Sequence, residues 1–115
     1  MFERSKAFYA AALAPLGLEV LVEPVAGAAC GFGSASDHKP FFWITTRDRA
    51  NRNVHLAFAS PDRATVDAFH LAALAAGGID NGPPGMRPHY HSGYYGAFVL
   101  DPDGNNVEAV THRGH

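Results

Sequence analysis

Cysteine is almost absent from this chain: Cys30 stands alone, which excludes an intrachain disulfide and a thiolate zinc cluster. Basic residues are not in excess either. Nine Lys and Arg face eleven Asp and Glu, for a formal charge of −2, so no cationic face is available to follow a phosphate backbone and nucleic acid is excluded as a partner. No apolar run reaches the length of a membrane span. The N-terminal "MFERSK" places charge where the apolar stretch of a secretory leader would begin, so the expectation is a soluble, cytoplasmic protein away from membranes. What remains is an ordinary globular composition, 47% hydrophobic and 17% charged over 115 residues, enough for one compact domain. Against the single cysteine stand seven histidines, a balance that points to metal or proton chemistry.

Two of those histidines fall in "PHYHSGYY" (88–95), beside three tyrosines. Pro88 and Gly93 bracket the stretch as a loop, so His89 and His91 are placed on a lid over a cleft, for substrate binding or proton transfer. The competing reading is a solvent-exposed loop. Larger organisation comes from a repeat. Residues 5–17, "SKAFYAAALAPLG", and 66–78, "VDAFHLAALAAGG", share Ala-Phe, Ala-Ala-Leu-Ala and a closing Gly at one offset. Both have helical apolar spacing and both end on stop signals, Pro15 with Gly17 and Gly77 with Gly78. For the second helix Ser60 is the expected cap, with Pro61 in the first helical position and Asp62 at the positive end of the dipole.

Extended runs follow the first helix at 18–24, 28–33 and 40–46. An alternating strand, "NVHLAFA" (53–59), precedes the second helix; a Gly/Pro-rich loop (81–93) and strands at 94–101 and 105–112 follow it. Asp101-Pro102-Asp103-Gly104 joins those last two as a tight, bulged hairpin. The second half thus reads strand–helix–strands and the first half helix–strands. The counterpart of the His55 strand would lie upstream of Met1, so the expectation is a late start or a strand supplied by another chain, and an open sheet edge invites self-association.

The segments "ERSKAFYAAALAPLG", "HLAFASPDRATVDAFHLAALAAGG" and "RPHYHSGYYGAFVLDPDGNNVEAV", together with the repeat, resemble the vicinal-oxygen-chelate superfamily of glyoxalases, bleomycin-resistance proteins and extradiol dioxygenases. The resemblance implies an α+β fold in which paired βαβββ modules form a curved mixed sheet around a cleft. Residues 1–115 would be one domain, with module one at 1–47 lacking its first strand and module two at 53–112. It also implies a divalent metal (Zn, Ni, Mn or Fe) held by His55 and Glu108, with Glu108 catalytic. The position in module one that matches Glu108 falls at about Trp43, which cannot coordinate. The ligand set in this sequence is therefore incomplete against a centre of two histidines and one carboxylate.

Period two agrees with that placement. Val54, Leu56 and Phe58 share one face of their strand, while His55 shares the other with Ala57 and Ala59; Glu108 shares a face with Val110 and His112. The plainer readings are a hydrogen-bonded strand histidine and a solvated carboxylate. Tyr94 and Tyr95 alternate, so one of them faces the cleft, and Arg87 can clamp an anionic group. "GFGSAS" (31–36) precedes no helix and is rejected as a phosphate loop. Cys30 reads as a small core residue, His70 as a core border, and His112 and His115 as tail residues. Three functions compete. One is a metal-dependent lyase or dioxygenase acting on vicinal oxygens, with Trp43, His89, His91, Tyr94, Tyr95 and Arg87 around the substrate. Another is a metal-free drug-binding protein whose cleft is lined by Trp43, Tyr94 and Tyr95. The last is a sound frame that has lost its chemistry. The first two take a small-molecule substrate or ligand, and a homodimer is the expected state of the chain.

Overall fold

In the computed structural model, residues 2–47 and 51–114 are described; His115 lies outside them. Helix α1 (Phe2–Leu13) buries Phe8, Tyr9, Ala12 and Leu13, residues spaced so as to form one stripe. A 3-10 turn over Ala14–Leu16 closes it, and Gly17 sits in the left-handed region at φ 78° with its N–H on the Ala14 carbonyl, the conformation for which glycine is favoured. Strands β1 (Leu18–Val25), β2 (Ala29–Ser34) and β3 (Phe42–Thr45) follow as an antiparallel meander.

The remaining elements are β4 (His55–Ala59), α2 (Arg63–Ala75), β5 (Ile79–Met86), β6 (Tyr95–Leu100) and β7 (Asn106–Thr111). They build a second sheet in the order β4-β7-β6-β5, with β4 parallel to β7 and the other pairs antiparallel. This is the α+β arrangement expected. The β6–β7 turn also forms as read: Gly104 N–H reaches the Asp101 carbonyl at 3.0 Å, and Gly104 takes φ 86°.

The core lies between the helices and the sheets, with Phe8, Phe32, Phe69, Leu13, Val66, Val99 and Val107 fully buried. Edge-on and tilted aromatic contacts run from Phe8 through Tyr9 and Phe42 to Phe58 and tie the two sheets together. Tyr9 also donates to Asp101 Oδ2 at 2.5 Å, anchoring α1 to the β6–β7 turn. Cys30 is buried among these residues, as expected of a small core side chain. No helix of the described residues is long and apolar enough to cross a membrane.

Two local expectations change. The cap of α2 is Asp62, whose carboxylate accepts from Thr65 N–H at 2.8 Å, while Ser60 Oγ donates to the Asp62 carbonyl. Pro61 therefore precedes the helix instead of opening it. The Gly/Pro-rich stretch begins as strand β5, not as loop. Its pairing with β6 shifts register at Gly82 and again before Gly85. Because β5 is the outermost strand of its sheet, Pro83 and Pro84 are tolerated where a central strand would need their missing N–H.

Candidate functional site

Strand β4 presents His55, Ala57 and Ala59 outward and turns Phe58 into the core, as the alternation predicts. In the parallel ladder Glu108 lies opposite Ala57, and across β6 it lies opposite Phe98. Directly opposed residues project from the same side of a sheet, so β4, β7 and β6 bring His55, Glu108 and Phe98 to one surface. His55 Nε2 and Glu108 Oε1 are 2.7 Å apart, and the His55 ring lies 6.2 Å from that of Phe98.

Glu108 is only 1% exposed, whereas the His55 side chain is 54% exposed. A buried carboxylate needs partners. Its second oxygen has one in the Tyr94 hydroxyl, which donates to Oε2. Burial, followed by this bond and the adjacent negative charge, holds the Tyr94 phenol well above its ordinary value. It therefore remains a donor at neutral pH and leaves Oε1 as the oxygen facing His55. Gly96 makes the room: a methyl group there would stand 3.2 Å from the Tyr94 ring and 3.4 Å from Glu108 Oε2. Sequence reasoning passed over Gly96, since nothing local distinguishes it from any other strand glycine.

The other predicted residues divide. The Arg87 guanidinium lies 5.4 Å from the centroid of the Phe98 ring and donates to the Pro83 carbonyl, at the rim of the surface that carries Glu108. His89 rests against Tyr90 at 4.3 Å between ring centroids and is exposed. His91 meets a residue that had been dismissed: its Nε2 lies 2.8 Å from Nδ1 of His112. Tyr95 turns the other way, donating to Asp67 on α2 at 2.6 Å beneath the Arg63 guanidinium, so of the two tyrosines only Tyr94 reaches Glu108.

Trp43 is elsewhere. It lines a cleft of about 440 Å³ with Phe2, Tyr9, Phe42, Leu56, Asp101 and Asn105, reached from the face of β4 opposite His55. The expected aromatic box of Trp43, Tyr94 and Tyr95 does not form, because the three point into three separate surroundings. One tyrosine faces the carboxylate, the next faces the helix by alternation, and the tryptophan belongs to the other sheet.

His55 and Glu108 suit a divalent ion in chemistry and convergence, an imidazole nitrogen beside a carboxylate oxygen. They make two donors. Among the described residues no three His, Cys, Asp or Glu side chains converge, so these two donors do not by themselves make a complete ligand set.

Comparison with known proteins gives the relationships. A glyoxalase/bleomycin resistance protein from Albidiferax ferrireducens T118 is 32% identical, with a TM-score of 0.78 over 96% of this chain and 89% of that one. A lactoylglutathione lyase from Agrobacterium tumefaciens is 22% identical with a TM-score of 0.60, over 97% and 86% of the two chains. Glyoxalase I from Zea mays is 24% identical with a TM-score of 0.66; 97% of this chain matches 42% of that longer one. A search of curated protein sequences finds no match. Residues 1–109 match the family profile, and with the fold in agreement the chain belongs to the Glyoxalase/Bleomycin resistance protein/Dioxygenase superfamily.

Proposed function

We propose that the protein is a divalent-metal-dependent enzyme, of lyase or dioxygenase type, acting on a small substrate with vicinal oxygens. The observation that carries this reading is Glu108, a strand carboxylate removed from solvent and held between an imidazole and a phenol. Asp101 is also buried beside a phenol, but its oxygens are spent on its own turn, whereas Glu108 meets an imidazole that is 54% exposed and open to a ligand. His55 and Glu108 would hold the ion, which when bound would polarise a substrate oxygen. The chain's own residues supply the rest. Tyr94 fixes the carboxylate in one orientation by donating to Oε2, leaving Oε1 to face His55 and the ion the two would share. Arg87 at the rim would meet an anionic substituent. His55, more than half exposed, leaves the site open on the substrate side.

The test is metal binding and turnover together. Equilibrium dialysis with Zn²⁺, Ni²⁺, Mn²⁺ or Fe²⁺ should show an ion whose retention requires His55 and Glu108. The loaded protein should then turn over members of a panel of vicinal dicarbonyl, hydroxycarbonyl and catechol compounds. A protein whose Glu108→Gln variant binds ions and ligands as the parent does would overturn the proposal.

The cleft beside Trp43 favours a second reading, a metal-free binding protein. Its wall combines Trp43, Tyr9 and Phe42 with Asp101 and Asp103, a combination suited to a planar cation. On this reading ligands quench Trp43 fluorescence equally in the parent and in Glu108→Gln.

A further inference from the structure

The face that carries Glu108 continues past β6, and a cation stands at its far side. Glu108 lies opposite Phe98, and Phe98 lies opposite Gly82, so one row crosses β7, β6 and β5 on a single face. The Arg87 guanidinium covers the β6 and β5 end of that row, 5.4 Å from the Phe98 ring centroid. His55 lies 6.2 Å from the same ring. We propose that Arg87 is the specificity residue of this surface and that the substrate carries a carboxylate, held by the guanidinium while the vicinal oxygens face His55 and Glu108. This assignment rests on the enzyme reading above and adds the substrate class to it.

Unused bonding capacity is the first argument. A guanidinium presents five N–H donors in a planar fork. Nη2 of Arg87 donates to the Pro83 carbonyl at 2.8 Å, its one side-chain hydrogen bond among the described residues. The ion pairs among those residues are Lys6–Glu23, His55–Glu108 and His70–Asp80, so none of their carboxylates neutralises Arg87. The residue is half-buried, and a cation withdrawn from water is stabilised by a counter-ion that also fills its donors.

The second argument is how the guanidinium is held. Strand β5 shifts register against β6 between Asp80 and Gly82 and again between Gly82 and Gly85, the kind of irregularity that re-aims a side chain beside a functional site. A methyl group on Gly82 would stand 3.3 Å from Arg87 Nη2, and one on Gly85 2.9 Å from Nη1. Bare backbone at these two positions lets the guanidinium lie against the strand, where the Pro83 carbonyl and the Phe98 ring fix it. The Gly-Pro-Pro-Gly run at 82–85 thus has a role: its glycines leave the space and Pro83 supplies the acceptor.

The dimensions suit one small molecule. Strands stand about 4.8 Å apart, so the Glu108 and Gly82 ends of the row are about 10 Å apart. A compound of metabolite size can place its oxygens at one end and a carboxylate at the other. Guanidinium and carboxylate meet through two parallel N–H···O bonds, which fixes the direction of the substrate as well as its charge.

Calorimetric titration of the full chain with 3,4-dihydroxybenzoate, 3,4-dihydroxyphenylpropanoate and their methyl esters tests the assignment. The parent should bind at least one acid tenfold or more tighter than its ester. Arg87→Gln should remove that preference and leave the ester unaffected. Arg87→Lys should restore only part of it, because the charge returns without the fork. Gly85→Ala keeps the charge but pushes the guanidinium aside, and should weaken the acid alone. Circular dichroism checks that each variant folds. A parent that prefers neither acid would sink the proposal, as would a preference that survives Arg87→Gln. Equal losses of acid and ester in Arg87→Gln would sink it too, since a side chain that merely covers Phe98 acts in that way. Each titration is run with and without Zn²⁺. Retention of the ion by Glu108→Gln counts against the enzyme reading, whereas the acid–ester contrast is read in either state and decides Arg87 alone.

Discussion

At the scale of single residues, Glu108 carries the sharpest consequence. Its carboxylate gives up water for two partners, and hydrogen bonds to charged groups contribute about 1.5–3 kcal/mol when buried. Tyr94→Phe removes one of them without changing the ring that packs on His91 and His112. We expect urea unfolding at pH 7 to show a loss of about 2 kcal/mol. A loss within about 0.5 kcal/mol, the range of ordinary surface substitutions, would mean that water replaces the phenol and that Tyr94 does not position the carboxylate. Tyr9 makes a different prediction. Burial, then its bond to Asp101, raises its phenol far above the usual value. A group whose folded pKa lies above its unfolded one stabilises fully below the unfolded pKa, about 10 for tyrosine, and loses that contribution as pH rises beyond it. Stability should therefore fall above pH ~10, by about 1.4 kcal/mol per pH unit for this one group. Tyr9→Phe should be less stable at pH 7, and its alkaline decline should be shallower. Parallel curves for the two proteins between pH 7 and 11 would contradict this.

Element by element, the N-terminus of α2 offers a test with the opposite sign. Backbone and side-chain hydrogen bonds from Thr65 depress the Asp62 carboxyl. A depressed acid stabilises above its unfolded pKa, about 4, and loses the contribution as pH falls through its folded value. Asp62→Ala should lower the thermal midpoint at neutral pH, and the gap should narrow below about pH 4. Asp62→Asn should keep the cap, because asparagine caps comparably, yet lose the pH dependence. A gap that stays constant from pH 7 to pH 3 would rule out the charged cap as its source.

The same elements show what the residue order reveals and what it hides. Pro15 with Gly17, and Asp101 through Gly104, were legible because a turn is decided by four adjacent residues. The faces of β4 and β7 were legible because alternation is local, and the family likeness then singled out His55 and Glu108. Strand β5 was not legible, since Gly82, Pro83, Pro84 and Gly85 read as loop unless the strand is known to lie at a sheet edge. Asp62 and Ser60 were both suitable caps, and the choice depended on where the first helical turn begins. The contacts Tyr94–Glu108 and His91–His112 span 14 and 21 residues. Both depend on how the β5–β6 loop folds over β7, a register that no local pattern encodes.

For the molecule as a whole, the unsatisfied feature is a pair of sheet edges. Strand β3 ends the first sheet and β4 ends the second. Beside them lie the cleft of about 440 Å³, containing Phe42, Ile44, Val54 and Leu56, and another of about 320 Å³ walled by Leu16, Leu18, Phe41 and Phe58. Phe41 is 61% exposed and Trp43 47%. Two aromatic side chains beside open ladder positions form the kind of surface that monomers usually blunt with charge, proline or a covering loop. A second copy docking there would pair backbone groups and cover apolar walls in one step, and a twofold axis lets each chain offer the same patch to the other. A stable dimer needs roughly 1,600 Å² buried in total, more than the two aromatics alone supply, so the cleft walls must take part. We expect sedimentation equilibrium at micromolar concentration to give a dimer. The fluorescence of Trp43, the only tryptophan, should shift to shorter wavelength as the protein is concentrated. Trp43→Lys places a solvated charge on the edge and should return the chain to monomer without altering its helical content. A parent that stays monomeric over that range, or a lysine variant that associates equally well, would place the contact on another surface.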